Sequence, residues 1–195
     1  NTSNMGLNLL KGTRAKLFAE TYNSILVSEA ISGVNGDSLN IASNVNYKPD
    51  IIVLGIDIRK YVKVHREIIW ANRLTASTSV GEGKLLYYLG GVDNKVHLTE
   101  ARPRFNYDLP VSDKETFVYQ TVATNMRGFL QNARNGNSFA LFNSELRIPV
   151  FRYFATKPLK SDFVKNFQTV LFTDIGTAWT GSNPYSDDNY FNSTE

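Results

Sequence analysis

The strongest constraint in this sequence is an alternation of apolar and polar side chains with period two, recurring from near its first residue to near its last. Successive side chains of a β-strand point to opposite faces, so the alternation builds one apolar and one polar face; a helix would instead repeat its apolar residues every three or four positions. From Thr13 to Tyr22, Ala15, Leu17 and Ala19 share a face, opposite Arg14, Lys16 and Glu20. In Leu39 to Tyr47, Leu39, Ile41, Ser43, Val45 and Tyr47 oppose Asn40, Ala42, Asn44 and Asn46. Ile52, Leu54, Ile56 and Ile58 oppose Gly55, Asp57 and Arg59, and Ile68, Trp70, Leu74 and Ala76 oppose Arg73, Thr75, Ser77 and Ser79. Ala140, Phe142, Leu146 and Ile148 face away from Asn143, Glu145 and Arg147, and Phe167 to Trp179 forms one more extended run. Residues 104 to 109 and 117 to 122 are shorter candidates. The pattern predicts an all-β chain.

These runs extend over about 9 to 13 residues, beyond the roughly 5 to 6 of a common globular strand and close to the 9 to 11 that cross a bilayer at a tilt. Length therefore favours a transmembrane β-barrel. Periodicity does not choose, because a soluble sandwich turns its apolar face inward while an outer-membrane barrel turns it toward lipid. Arg14, Lys16, Asp57, Arg59, Asn143, Glu145 and Arg147 suit a wet lumen and a solvated exterior equally.

Composition removes several function classes. Cysteine is absent, which excludes disulfide scaffolds, thiol catalysis and Cys-based metal centres. His65 and His97 stand in no metal-ligand spacing, and neither a nucleophile–base pair nor a phosphate-binding loop emerges, so neither an enzyme nor a cofactor is expected. A net charge of +3 is too small to name nucleic acid as a partner. No apolar run approaches the roughly 18 to 20 residues of a membrane helix. The opening NTSNMGLNLLKG lacks the pattern of a signal peptide, and no repeat or composition shift divides the chain. Asp187, Asp188 and Asn189 carry oxygens suited to calcium, but a solvated loop is the favoured reading of that stretch.

Four segments break the tie left by periodicity: LYYLGGVDN (86 to 94), NMRGF (125 to 129), FALFNSELRIPV (139 to 150) and FTDIGTAW (172 to 179). In order and spacing they resemble the outer-membrane assembly and translocation barrels of the BamA type, the bacterial surface antigen family that includes two-partner secretion transporters. The likeness covers residues 84 to 181 well, and KGTRAKLFAE (11 to 20) resembles an earlier barrel strand. It implies an antiparallel transmembrane barrel of sixteen strands, of which this chain would supply seven to nine. A long extracellular loop, here 92 to 137, would fold back into the lumen with Arg127, Gly128 and Phe129 at its tip. The resemblance further implies that Arg127 meets acids on the following wall strands, Glu145 and then Asp174 of the F-x-D-x-G pattern formed by Phe172, Asp174 and Gly176.

That assignment is chemically sensible. A guanidinium stays charged, so in a partly desolvated lumen it demands carboxylates of matching fork geometry. Gly128 would permit a sharp turn, Gly176 a close approach, and Phe129 would anchor the tip by packing. Tyr87, Tyr88, Tyr153, Phe154 and Trp179 suit either an aromatic girdle or ordinary core packing. Two features depart from the family: residues 92 to 126 separate Gly91 from Arg127, where the family places its Gly-Gly close to the tip, and the strands expected after FTDIGTAW are missing. Open sheet edges are not tolerated in hydrocarbon, so the chain is expected to be part of a longer polypeptide or to be completed by another chain.

The implied setting is the bacterial outer membrane. The implied partners are its lipid and lipopolysaccharide, unfolded outer-membrane or secreted clients, periplasmic domains and the remaining barrel strands, and accessory lipoproteins. A weakly paired seam would open laterally while the loop, pinned through Arg127, braces the barrel. The rival readings are a passive porin or small-solute transporter, separated by assaying client insertion against solute flux, and a soluble all-β binding module, identified by solubility without detergent.

Overall fold

The computed structural model describes residues 11–23, 50–92, 105–156, 160–186 and 189. In chain order its elements are β1 (Gly12–Asn23), β2 (Asp50–His65), β3 (Ile68–Gly81), β4 (Lys84–Gly90), β5 (Phe117–Asn125), β6 (Arg134–Gly136), β7 (Ser138–Ile148), α1 (Val150–Phe154), α2 (Asp162–Asn166) and β8 (Thr169–Trp179). The long strands form one antiparallel sheet in the order β1-β2-β3-β7-β8, here called the wall. A smaller sheet, β5-β4-β6, pairs β4 with β5 in parallel and with β6 antiparallel. The wall strands run from 11 to 16 residues. The fold is all-β with two five-residue helices. Among the described residues the wall is an open sheet with β1 and β8 at its edges, not a closed cylinder. No helix among those residues is long and apolar enough to cross a membrane.

Cross-strand register decides which side chains share a face, because directly paired residues project the same way. Arg14, Arg59, Arg73, Asn143 and Asp174 lie in one row across all five wall strands. That row fixes an inner face carrying Asp57, Glu145 and Arg147 as well, and an outer face carrying Leu17, Leu54, Leu74, Phe142 and Ile175. The polarity is inverted relative to a water-soluble sheet. Leu17 is 78% exposed, Ile175 66% and Leu171 60%, and Ile52, Leu54, Ile58, Trp70, Leu74, Val80 and Phe142 are also exposed on this side. A typical monomer's largest apolar patch is about 300 to 600 Å²; here most of one sheet face is apolar, with Asn72 and Ser144 among its polar exceptions.

The buried core lies on the other side. Tyr87 and Leu89 of β4, with Met126 beyond β5, pack against Phe139, Leu141 and Ala178 on the inner face of β7 and β8. The Tyr87 and Phe139 rings meet edge to face at 4.9 Å. The Tyr87 hydroxyl lies 3.1 Å from the Ser77 hydroxyl, and the Leu85 N–H donates to the Ser79 hydroxyl at 2.8 Å. Asn137 ties the joint by donating from Nδ2 to the Ser79 carbonyl at 2.8 Å and accepting at Oδ1 from the Gly181 N–H at 2.8 Å. The small sheet is thereby fastened along the polar face of the wall.

Several expectations need correction. Of the eight strands among the described residues, five form the wall, because β4, β5 and β6 leave it and stack on its inner face. The excursion into the small sheet starts with β4 at Lys84. Of the two readings open for Tyr87, core packing holds, because β4 is sandwiched between its sheet neighbours and the wall. The 104 to 109 candidate is not a strand: Phe105 makes a single bridge to Gln131, and the Asn106 side chain then accepts from the Asp108 N–H at 3.1 Å, closing a turn. The last run begins at Thr169, because α2 ends at Asn166 and Phe167 serves as its C-cap. Pro149 ends β7, since it cannot donate to a ladder, and opens α1. The 39 to 47 candidate, Asp187, Asp188 and His97 lie outside the described residues.

Candidate functional site

Arg127 follows β5 and reaches the inner face of β7 and β8. Its Nη1 donates to Glu145 Oε1 at 2.6 Å, while Nη2 and Nε donate to the two oxygens of Asp174 at 2.7 and 2.9 Å. Its own backbone N–H adds a bond to Asp174 Oδ2 at 2.9 Å. The two-point approach to Asp174 is the fork geometry that an arginine provides and a lysine cannot. The hydrogen bonds to Asp174, followed by those to Glu145, raise the Arg127 pKa above its ordinary value against the opposing effect of burial, keeping the group charged.

The carboxylates are held in turn. Asp174, whose side chain is 2% exposed, also accepts from Asn143 Nδ2 at 2.8 Å. Glu145 uses its second oxygen for Arg147, whose Nη2 and Nε donate at 2.7 and 2.9 Å. Every carboxylate oxygen of the pair therefore has a donor, as groups withdrawn from water require. The structure brings together Arg127, Glu145 and Asp174, which lie 18 to 47 residues apart in sequence.

Phe172, Asp174 and Gly176 alternate along β8, so all three project to the inner face. Each does a different task. The Phe172 ring lies 4.0 Å from the Arg127 guanidinium carbon, a cation–π contact. Asp174 supplies the charge. At Gly176 an added Cβ would stand 2.6 Å from Leu141 Cδ1 and 3.3 Å from Leu89 Cδ2, so glycine is what lets the small sheet seat this closely. Gly128 has φ of +86°, the left-handed region open to glycine, and turns the tip. Phe129, expected to anchor the tip, is 47% exposed, and the Phe172 ring stacks on the guanidinium.

A second ionic group lies beside the first. Asp57 accepts from Arg59 at 2.9 and 3.0 Å and from Arg73 at 2.8 and 3.3 Å. Arg73 Nη1 goes on to donate to the Thr124 hydroxyl of β5 at 3.1 Å. The small sheet is thus pinned to the wall at two charged points, through Arg127 and through Arg73. Sequence reasoning placed Asp57 and Arg59 on the polar face but missed this pin and the role of Phe172. The signal for the pin was available: a β2–β3 turn near Arg66 sets Arg73 opposite Arg59 and diagonal to Asp57.

Between the two groups opens a cleft of about 330 Å³, lined by Arg59, Tyr61, Arg73, Arg127, Glu145 and Arg147 together with small and amide side chains. Among the described residues no cluster of His, Asp and Glu has the makings of a metal site. Asn189 instead closes a turn, accepting from the Thr180 N–H at 2.7 Å and donating to the Asn183 carbonyl at 3.1 Å. Compared with protein-family models, curated proteins and solved structures, the chain matches none.

Proposed function

We propose that this chain forms part of the wall of a BamA-type β-barrel in the bacterial outer membrane, serving the insertion of barrel proteins or the translocation of polypeptides. The observation that carries this reading is the inverted polarity of the wall: charged residues line the face that holds the small sheet, and Leu17, Leu54, Leu74, Phe142 and Ile175 line the open one. In water, each large apolar side chain left out forgoes roughly 1.5 to 3 kcal/mol. Against acyl chains the same face is at home, and lipid and lipopolysaccharide become its partners.

The edges support the reading. The backbone groups along the outer sides of β1 and β8 would each cost several kcal/mol unpaired in hydrocarbon, so further strands must complete the cylinder. Periplasmic domains and accessory lipoproteins would deliver unfolded clients to it. The choice of assembly or translocation over free diffusion rests on the resemblance carried by Arg127-Gly128-Phe129 and by Phe172, Asp174 and Gly176. In this reading the clamp is conformational: it holds the small sheet against the inner wall as a brace.

The test places single nitroxide labels at outer-face positions Leu54, Leu74 and Ile175 and at inner-face positions Tyr61 and Arg147, with the protein folded into lipid vesicles. Oxygen, which partitions into lipid, should relax the outer set, and a water-soluble nickel chelate the inner set. The reverse pattern would refute the barrel. Client insertion by proteoliposomes, compared with efflux of a small solute, then separates an assembly factor from a porin.

A further inference from the structure

We propose that the cleft beside the Arg127 clamp is a site for small oxyanions, of the inorganic phosphate class, and that it biases any aqueous path along the inner wall toward anions. The binding claim rests on the cleft alone; the path rests on the barrel reading above.

The first observation is the arginine row. Arg14, Arg59 and Arg73 are paired in register across β1, β2 and β3, placing three like charges side by side. Such an arrangement is self-repelling unless counterions intervene. Asp57 answers two of the three, bonding Arg59 and Arg73 and leaving the row cationic.

The second is the charge balance around the cleft. Four arginines, Arg59, Arg73, Arg127 and Arg147, meet three carboxylates, Asp57, Glu145 and Asp174. The carboxylates sit deeper: their side chains are less exposed than those of the arginines that cover them. Their oxygens are also occupied, with both oxygens of Glu145 taken by Arg127 and Arg147. Arg59 spends Nε and Nη2 on Asp57, and the four arginines share the lining of the cleft with Tyr61, Glu145 and amide side chains. Arg147 spends Nε and Nη2 on Glu145, and its Nη1 has no protein acceptor among the described residues. Asn72 and Asn125 also border the cleft. A surplus of positive charge, guanidinium N–H donors beyond those engaged by the carboxylates and a partly desolvated recess are what binds a tetrahedral oxyanion.

The experiment titrates inorganic phosphate into the intact protein in detergent micelles at low ionic strength, followed by calorimetry. Wild-type protein should bind, and Arg147→Gln and Arg59→Gln should each weaken binding by roughly tenfold, the loss of about one charge-assisted hydrogen bond. Arg147→Lys, which keeps the charge and loses the spare Nη1 donor, should fall between, and Lys165→Gln in α2 should match wild type. Circular dichroism confirms that each variant is folded. No phosphate heat, or equal affinity in wild type and Arg147→Gln, would overturn the site. Reversal potentials across a potassium chloride gradient in planar bilayers form the second arm: anion preference that declines in the two Gln variants supports the path, and cation preference overturns it. Phosphate binding by a protein that never conducts would leave the site standing and overturn the path.

Discussion

Asp174 holds Arg127 by both its ends: the guanidinium bonds the carboxylate through Nε and Nη2, and the arginine's own backbone N–H bonds the same carboxylate at 2.9 Å. One wall residue thereby fixes the position of the chain at the tip as well as the direction of its side chain. The contact joins β8 to a segment that enters from β5, so it closes a long loop and transmits any movement of the small sheet to the wall.

Breaking this pair leaves an uncompensated charge against the wall. Arg127→Ala and Asp174→Ala should each lower unfolding stability by about 3 kcal/mol, the low end for a buried pair because the guanidinium side chain stays 27% exposed. In a double-mutant cycle by urea unfolding, the double variant should lose less than the sum of the singles by at least about 1 kcal/mol. Strict additivity would show that the two side chains do not interact. Arg127→Lys should recover little, since an ammonium cannot match the two-point geometry.

Gly176→Ala should destabilise by about 1 to 3 kcal/mol, the usual cost of overpacking. Its Cβ would press on Leu141 Cδ1 at 2.6 Å and on the Ala140 carbonyl oxygen at 3.1 Å. Leu141→Ala should cost less in the Gly176→Ala background than in wild type, because it vacates the space that the new methyl group needs. Equal costs in the two backgrounds would mean that the close seating at this point has been misread.

Charges on the outer face distinguish lipid from water. Ile175→Arg and Leu74→Arg should each cost about 2 to 4 kcal/mol of folding into vesicles if they lie near the bilayer midplane. The readout is the fraction of protein that migrates as folded on a cold gel. In a water-facing sheet these substitutions would be neutral or would improve solubility, and that outcome would count against lipid contact.

Asp57→Asn removes the counterion that Arg59 and Arg73 share. The expected loss is about 2 kcal/mol, from forfeited charge-assisted bonds and repulsion between paired arginines. Half-molar sodium chloride should restore part of it by screening, and Arg73→Met in the same background should restore more. A loss that is unchanged by salt would point to packing as its cause.

The long strands and their alternation were legible in the sequence because period-two patterning is a local property: Leu54, Ile56 and Ile58 declare a face whatever surrounds them. The acids were legible for a similar reason, since Asp174 within an apolar run requires a partner. Strand β4 was not. Leu85, Tyr87 and Leu89 pack inward while Leu86 on the other side is also buried, so neither face is polar and alternation vanishes. Local sequence therefore could not state that β4, β5 and β6 leave the wall and stack upon it.

Phe172 and Phe129 show the same limit. Both are aromatic and stand near the motif, and only the placement of Arg127 over β8 decides which ring receives the cation. What the sequence determined by itself was which residues share a face, because that follows from backbone geometry. The tertiary structure alone decided which face is covered and which ring stacks, because those outcomes depend on contacts between residues far apart in the chain.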